Sequence, residues 1–297
     1  MTVLALEIGS SRFAASRIAD DVSTDDIVQI PIPPSGAWDR CREILLEAAG
    51  GAEVTALGIA SAGPIDMTAG VVAPAEVPEW RTGFGIVQAA QKLFPSAEVR
   101  LAVDGVCLAV AEQAYGATGG VMDALAITVS TRIGGGVMVG GFTVVGRTGN
   151  AGNVGHVLVP GFDDRCVCGG RGCLEAVASG TSVVRWAREQ GWAGTSVPQL
   201  VEAARVGEDI PAAALGRAGT ALGSAIASAA ALLDIDLVVL GGSLAEAGPV
   251  LWKPLNEAVA THARLSFLPG LRVVPSQLGD VALLAGAGVL ALSAQSA

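Results

Sequence analysis

The chain has 297 residues, 51% of them hydrophobic, with 40 glycines and a formal net charge of -10. That length allows two domains or one large one around an Ala, Val, Leu and Ile core. The acidic balance, with no basic stripe, argues against a nucleic-acid partner, whose phosphates need clustered Lys and Arg. The N-terminus opens on an apolar run, Val3-Leu4-Ala5-Leu6, with no basic n-region or signal core. The most apolar stretch, 212–233, carries Arg217 and several glycines, so it reads as a buried helix and not a membrane span. A cytoplasmic chain with no membrane partner is expected.

Residues 3–7 and 12–19 read as strands joined by the turn Gly9-Ser10-Ser11, and a third extended run covers about 27–32. Helical spacing follows over 38–49, then a buried strand over 54–60, broken by Ser61-Ala62-Gly63-Pro64. Helix 86–94, strand 99–103 and helix 105–115 come next. The pattern of strand, glycine turn and strand then recurs, with strand 124–130, turn 131–136, strand 137–139 and a short strand 142–145. Beyond it the chain is largely helical to 233, and Gly216, Gly219 and Gly223 give the last of these helices a small-residue face. Strand 237–240 ends in Gly241-Gly242, and helix 249–260, strand 272–274 and a helix from about 281 complete the chain. Strands alternating with helices predict an α/β fold with sheets covered by helices. Two copies of one unit, at 3–19 and 124–145, predict two related domains facing a cleft, with a boundary near 115.

Three of the five cysteines fall together as Cys166-Val-Cys168-Gly-Gly-Arg-Gly-Cys173, with His156 just upstream and only two histidines in the chain. Three thiolates and one imidazole are what a closed tetrahedral zinc site requires. The glycines let the turn fold back so that the third sulfur arrives. Ordinary buried thiols or a disulfide are the plain alternative, which a cytosolic chain disfavours. Gly134-Gly135-Gly136, with Thr131, is a turn whose bare N–H groups suit a phosphate, or a tight β-turn with no ligand. Gly241-Gly242-Ser243 lies between a strand and a helix, where a nucleotide can approach backbone. Asp104 follows a strand and opens a helix. It suits a general base at the carboxyl edge of a sheet, or an N-cap.

The order of elements and motifs resembles the ROK family of sugar kinases, repressors and open reading frames along nearly the whole chain. Glu7-Ile-Gly9-Ser10-Ser11-Arg12 resembles its first phosphate loop, D-x-G-G-T-K. Ser61-Ala-Gly63-Pro64-Ile-Asp66, with Pro74 and Trp80, resembles its sugar-side loop, and Asp104 through Glu112 to Gly116 its N-D-A-N-x-x-A-x-x-E helix. Ser130 to Gly136 resembles the second phosphate loop, G-T-G-I-G-G-G, and Gly152-Asn153-Val-Gly155-His156 resembles G-E-x-G-H. Cys166-x-Cys168-Gly-x-x-Gly172-Cys173-Leu-Glu175 matches the zinc signature, and Leu240-Gly241-Gly242 resembles the adenosine-side motif.

The resemblance implies two actin/hexokinase-like (ribonuclease H-like) domains with a cleft between them. A smaller domain would span 1–115 plus about 281–297, and a larger one 116–280. It implies ATP-dependent phosphorylation of a hexose or amino sugar, with Asp104 as base. Gly63, Glu76, Asn153, His156 and Glu175 would contact the sugar. Glu7, Gly9, Ser11, Arg12, Thr131, Arg132, Gly134, Gly135, Gly241 and Gly242 would hold ATP with Mg²⁺. His156, Cys166, Cys168 and Cys173 would ligate a structural Zn²⁺, and the chain would form a homodimer.

Several positions depart from the family pattern. Glu7 stands for Asp, Ser11-Arg12 for Thr-Lys, and Val103 and Val106 for two Asn. Asn153 stands for Glu, Glu76 for Asn, and Arg132 for Gly. Arg132 either obstructs ATP or offers it a cation. A second reading is therefore a catalytically impaired, sugar-binding regulator. The chain starts at the first phosphate strand without a winged-helix domain, so this reading needs a protein partner and not DNA.

Overall fold

The structure is a computed structural model that describes residues 2–18 and 27–294. The chain divides into one unit of Met1–Gly120, Gly136–Gly152 and Leu278–Ala297, and another of Val121–Gly135 and Asn153–Gln277. Segment 136–152, expected in the larger domain, groups with the N-terminal unit. Side-chain and backbone bonds account for it: Thr148 O accepts from Met67 N, and the Asn150 amide bonds both the N–H and the C=O of Ile65.

The first unit is built on β1 (Thr2–Ile8), β2 (Arg12–Ile18), β3 (Val28–Pro31), β4 (Val54–Ser61) and β7 (Glu98–Val103). The sheet order is β3-β2-β1-β4-β7, antiparallel from β3 to β1 and parallel from β1 to β7. Position 19 of the expected second strand lies outside the described residues. β1 is buried at every position, which is why it reads as a continuous apolar run and not an alternating one. Helix α1 (Ala37–Ala49) packs on β2, while α9 (Ala282–Ala294) packs on β1, β4 and α3 (Asp104–Tyr115). Gly58 on β4 and Gly286 on α9 permit nearly bare backbone contact. A Cβ on Gly58 would meet the Ala287 carbonyl, and one on Gly286 the Cys107 carbonyl.

The loop after β4 contains a small hairpin, β5 (Ile65–Asp66) with β6 (Val71–Val72), and a 3-10 turn, Pro78–Trp80. Trp80 is buried and stacks between Phe13 and Phe84, with ring centroids 5.6 and 4.7 Å away. Offset aromatic stacking of this kind fixes the loop to β2. Helix α2 (Ile86–Leu93) then leads to β7.

A second five-stranded sheet has the order β10 (Phe142–Val144), β9 (Ile133–Val139), β8 (Ala124–Val129), β11 (Leu237–Gly241), β12 (Arg272–Pro275). Here one expectation is corrected. Residues 134–136 lie inside β9 and not in a turn, which is confined to Ser130–Arg132. Gly136 is a strand glycine because a Cβ there would strike the Gly105 carbonyl. The helices of the second unit are α4 (Leu174–Ala178), α5 (Gly180–Glu189), α6 (Val197–Arg205), α7 (Asp209–Leu233) and α8 (Pro249–His262).

The 212–233 stretch forms the bulk of α7, and no described helix is long and apolar enough to cross a membrane. Of its three glycines, Gly219 and Gly223 press on the backbone of α8 at Leu251 and Leu255, whereas Gly216 faces open space. Their substitutions should therefore diverge. Gly216→Ala is expected to stabilise the protein by up to about 1 kcal/mol through helix propensity. Gly219→Ala is expected to destabilise it by about 1–3 kcal/mol through overpacking. Urea unfolding of both variants checks the opposite signs.

Candidate active site and metal centre

The four metal-ligand candidates come together. The Sγ atoms of Cys166, Cys168 and Cys173 and a ring nitrogen of His156 all lie within 4.8 Å of one another. Cys168 Sγ and Cys173 Sγ are 3.8 Å apart, as are Cys166 Sγ and His156 Nδ1. A tetrahedron with Zn–S bonds of about 2.3 Å has S···S edges of roughly 3.8 Å, so the cluster fits zinc. All five cysteines are free thiols, which sets the disulfide alternative aside. The loop closes because Cys166 N donates to Gly170 O and Gly169 N to Cys166 O, with Gly169 and Gly172 at φ of 91° and 72°. His156 ends a 3-10 turn, Val154–His156. Burial, then the Arg132 charge, lowers its pKa and favours the neutral imidazole that a metal needs.

Cys173 caps α4, and Glu175 stands in the first turn of that helix, 5% exposed. Its Oε2 accepts from Ile133 N at 2.8 Å, and its Oε1 lies 3.4 Å from Arg132 Nη1. Burial raises the Glu175 pKa, and the Ile133 N–H and Arg132 offset part of the rise. The Arg132 guanidinium thus has Glu175 as an ion-pair partner. Gly155 leaves room for this arrangement, since a Cβ there would lie 2.7 Å from Ile133 O and 3.4 Å from Glu175 Oε2. Asn153, the N-cap of the same turn, is exposed.

The segment 130–136 and the glycines that end β11 also meet. β8 and β11 are parallel, with Thr128 opposite Gly241. Gly242 lies over Val129, where φ is 93° and Leu244 N donates to Val129 O. Gly134 N donates to Thr128 Oγ1 at 3.2 Å. Gly135 is buried within β9. Thr131 O accepts from Thr181 Oγ1 at 3.1 Å, and Ser130 O from Gly180 N at 2.7 Å, tying the turn to α5. Beside Thr131 opens a cleft of about 590 Å³, lined by Thr181, Arg185, Arg188 and Ser196 among others. None of those four was anticipated. Thr181, Arg185 and Arg188 sit on the amphipathic helix α5 and Ser196 caps α6, and nothing in their spacing distinguishes them from a solvated face.

In the first unit, Glu7, Gly63 and Asp104 lie at the carboxyl ends of β1, β4 and β7, where Ile8 pairs Ser61 and Ser61 pairs Val103. Asp104 is the first residue of α3. The N-cap is Val103, and the Asp104 Oδ1 accepts from Gly105 N at 2.7 Å. Its N-cap alternative is thereby corrected, although an acid in a first turn still suits the helix dipole. Val103 and Val106 are 9% and 1% exposed, so both belong to the core. Glu76 is half-buried in the loop after β6, and Ser11 is exposed at the β1–β2 turn, which Gly9 N closes on Arg12 O.

Glu7 is the most perturbed acid. Its carboxylate sits over Gly9, where a Cβ would come within 2.9 Å of Oε1, and its Oε2 is buried without a hydrogen bond. Arg12 Nη2 lies 3.5 Å from Oε2, and Arg12 also bonds Gln29 Oε1 and Asp280 O. Burial pushes the Glu7 carboxyl from 4.5 up to about 7. Arg12 lowers it in part, and the Asp104 and Asp280 charges raise it. Asp280 was not anticipated, because only the fold carries it to β1. A raised carboxyl pKa means the folded state holds its proton more tightly than the unfolded chain. Its ionisation therefore weakens folding as pH rises through the 4.5–7 window. Glu7→Gln, measured without nucleotide or Mg²⁺, is expected to gain stability over the parent at pH 8 and to lose that gain by pH 4.5. A difference independent of pH contradicts the assignment.

The ROK family profile matches residues 3–294. The glucokinase of Thermotoga maritima is 31% identical over 97% of this chain and 96% of its own length. The kanosamine kinase of Amycolatopsis mediterranei is 34% identical over 90% and 84%. The solved ROK glucokinase of Streptomyces griseus, in complex with glucose and AMPPNP, superposes with a TM-score of 0.85 at 26% identity, covering 99% of this chain and 100% of that one. With a profile match over nearly the whole chain and relatives of this similarity, the chain belongs to the ROK family.

Proposed function

We propose that the chain transfers the γ-phosphoryl group of ATP to a hydroxyl of a hexose or amino sugar. The observation that carries the reading is the setting of Asp104. It opens α3 at the carboxyl end of β7, in the parallel half of the first sheet, which also carries the buried Glu7 carboxylate on β1 and the Arg12 guanidinium on β2. A carboxylate so placed accepts the proton of a sugar hydroxyl as the oxygen attacks phosphorus. The relatives named glucokinase and kanosamine kinase support the reaction class.

The remaining residues take roles from the same geometry. Glu175 and His156 hold sugar hydroxyls, and Glu175 does so as an acceptor already aimed by Ile133 N–H and Arg132. Zn²⁺ held by His156, Cys166, Cys168 and Cys173 is structural, since four protein ligands leave no open position for water. The Thr131 turn, Gly241 and Gly242 take the nucleotide phosphates, and the cleft lined by Thr181, Arg185 and Arg188 takes the nucleoside. Bound Mg²⁺ supplies charge neutralisation on the phosphates. The Glu7 carboxylate, with its Oε2 lacking a hydrogen bond, fits a hard cation of this kind.

Kinetics with ATP against a panel of hexoses and amino sugars test the reading. Asp104→Asn is expected to cut kcat by on the order of 10²–10⁴-fold. Arg132→Ala is expected to raise the KM for sugar more than the KM for ATP, because its guanidinium pairs with Glu175. Absence of turnover with every sugar, in the parent as in Asp104→Asn, overturns the kinase reading. A larger effect of Arg132→Ala on the KM for ATP overturns the role given to Arg132.

A further inference from the structure

The cysteine loop is gripped by a residue outside it. Arg217, on α7, places its guanidinium carbon 5.0 Å from the Phe162 ring centroid and 5.1 Å from that of Trp186. Its Nη2 also donates to Asp164 Oδ2 at 2.8 Å. Phe162 and Asp164 lie on the incoming arm of the loop, and Trp186 lies on α5. The guanidinium meets two aromatic rings while its edge reaches a carboxylate. A planar, delocalised cation can do all three at once, and an ammonium cannot. With side-chain exposures of 23% for Arg217 and 18% for Asp164 the pair is partly buried, so it is screened less than an exposed ion pair.

The arm that Arg217 grips is paired with the arm that carries the last ligand. Gly172 N donates to Asp164 O, Val159 N donates to Gly172 O, and antiparallel bridges join Leu158 with Cys173 and Arg165 with Arg171. Asp163, next to Asp164, forms a two-pronged ion pair with Arg171. One acid therefore fastens the two arms to each other, and the next fastens them to α7. That helix is a firm base, because it packs on α4, α5, α6 and α8.

We propose that Arg217 is the clasp that holds the cysteine loop in its ligand-presenting shape, and so a positioning residue for the metal centre and for Glu175 beyond it. Metal affinity is reduced by whatever ordering the ligand loop must undergo on binding. A loop seated on α7 has less to order, so it holds the ion longer. Cys173 caps the helix on which Glu175 stands, so the seating carries on to that carboxylate. This last link rests on the sugar-binding role proposed above for Glu175, whereas the grip on the metal loop does not.

The test measures transfer of Zn²⁺ from zinc-loaded protein to an excess of chromogenic chelator. Arg217→Ala is expected to release the metal about tenfold faster or more, the scale on which outer-shell partners tune metal sites. Arg217→Lys keeps charge opposite Asp164 but loses the stacked plane, and is expected to fall between Arg217→Ala and the parent. Should Arg217→Ala fail to fold, Arg217→Lys alone decides the matter. Release within roughly twofold of the parent in the folded variants, or a parent that takes up no Zn²⁺, overturns the proposal. The readout needs no catalysis. Faster release in a protein that phosphorylates no sugar upholds the clasp while removing the kinase reading. In an active protein, a sugar KM that stays unchanged in both variants removes the link to Glu175.

Discussion

The site depends on the closure of one short loop. Cys166, Cys168 and Cys173 converge with His156 to within a metal's reach, and the last of these cysteines is the residue at which α4 begins. The helix start, and with it Glu175, is therefore tied to the loop. Glu175 is buried, and its burial alone would favour the protonated acid. The Ile133 N–H and the Arg132 guanidinium counter that cost and aim the carboxylate. Burial still sets the net direction, upward, while the Ile133 N–H and Arg132 fix where the carboxyl group points.

The first unit solves a related problem differently. Glu7 is buried and faces the charges of Asp104 and Asp280, with Arg12 as counter-charge. Burial dominates, so this carboxyl titrates near neutrality. Such perturbed acids gather where chemistry requires charge in a dry place. The backbone around it is arranged for close approach: Gly9 beneath the carboxylate, and Gly58 and Gly286 where α9 meets the sheet and α3.

Much of this was legible in the residues. The cysteine spacing announced the metal loop because ligand chemistry restricts which residues can stand there. Buried strands such as β1 and β11 were legible as apolar runs, and their ends located Glu7, Gly63, Asp104 and Gly241. The glycines at 134–136 misled, because a glycine demanded by a neighbouring backbone looks the same in sequence as one demanded by a turn. Val103 and Val106 looked like lost sugar contacts and lie in the core. Asp280, Asn150 and Arg217 carried no signal, since their partners at Glu7, Ile65 and Asp164 are remote in sequence and meet them only through the fold. Arg132 stood out as a departure, but only its geometry assigned it to Glu175.

The most direct test is calorimetric titration with whichever hexose or amino sugar the protein phosphorylates, before and after removal of zinc by chelation. The expected result is binding that is lost on removal of the metal and restored when Zn²⁺ is added back, with the fold retained throughout by circular dichroism. Equal affinity for that sugar in the zinc-loaded and zinc-stripped protein would mean that Glu175 holds its position without the metal loop, and would overturn the dependence of the site on that loop.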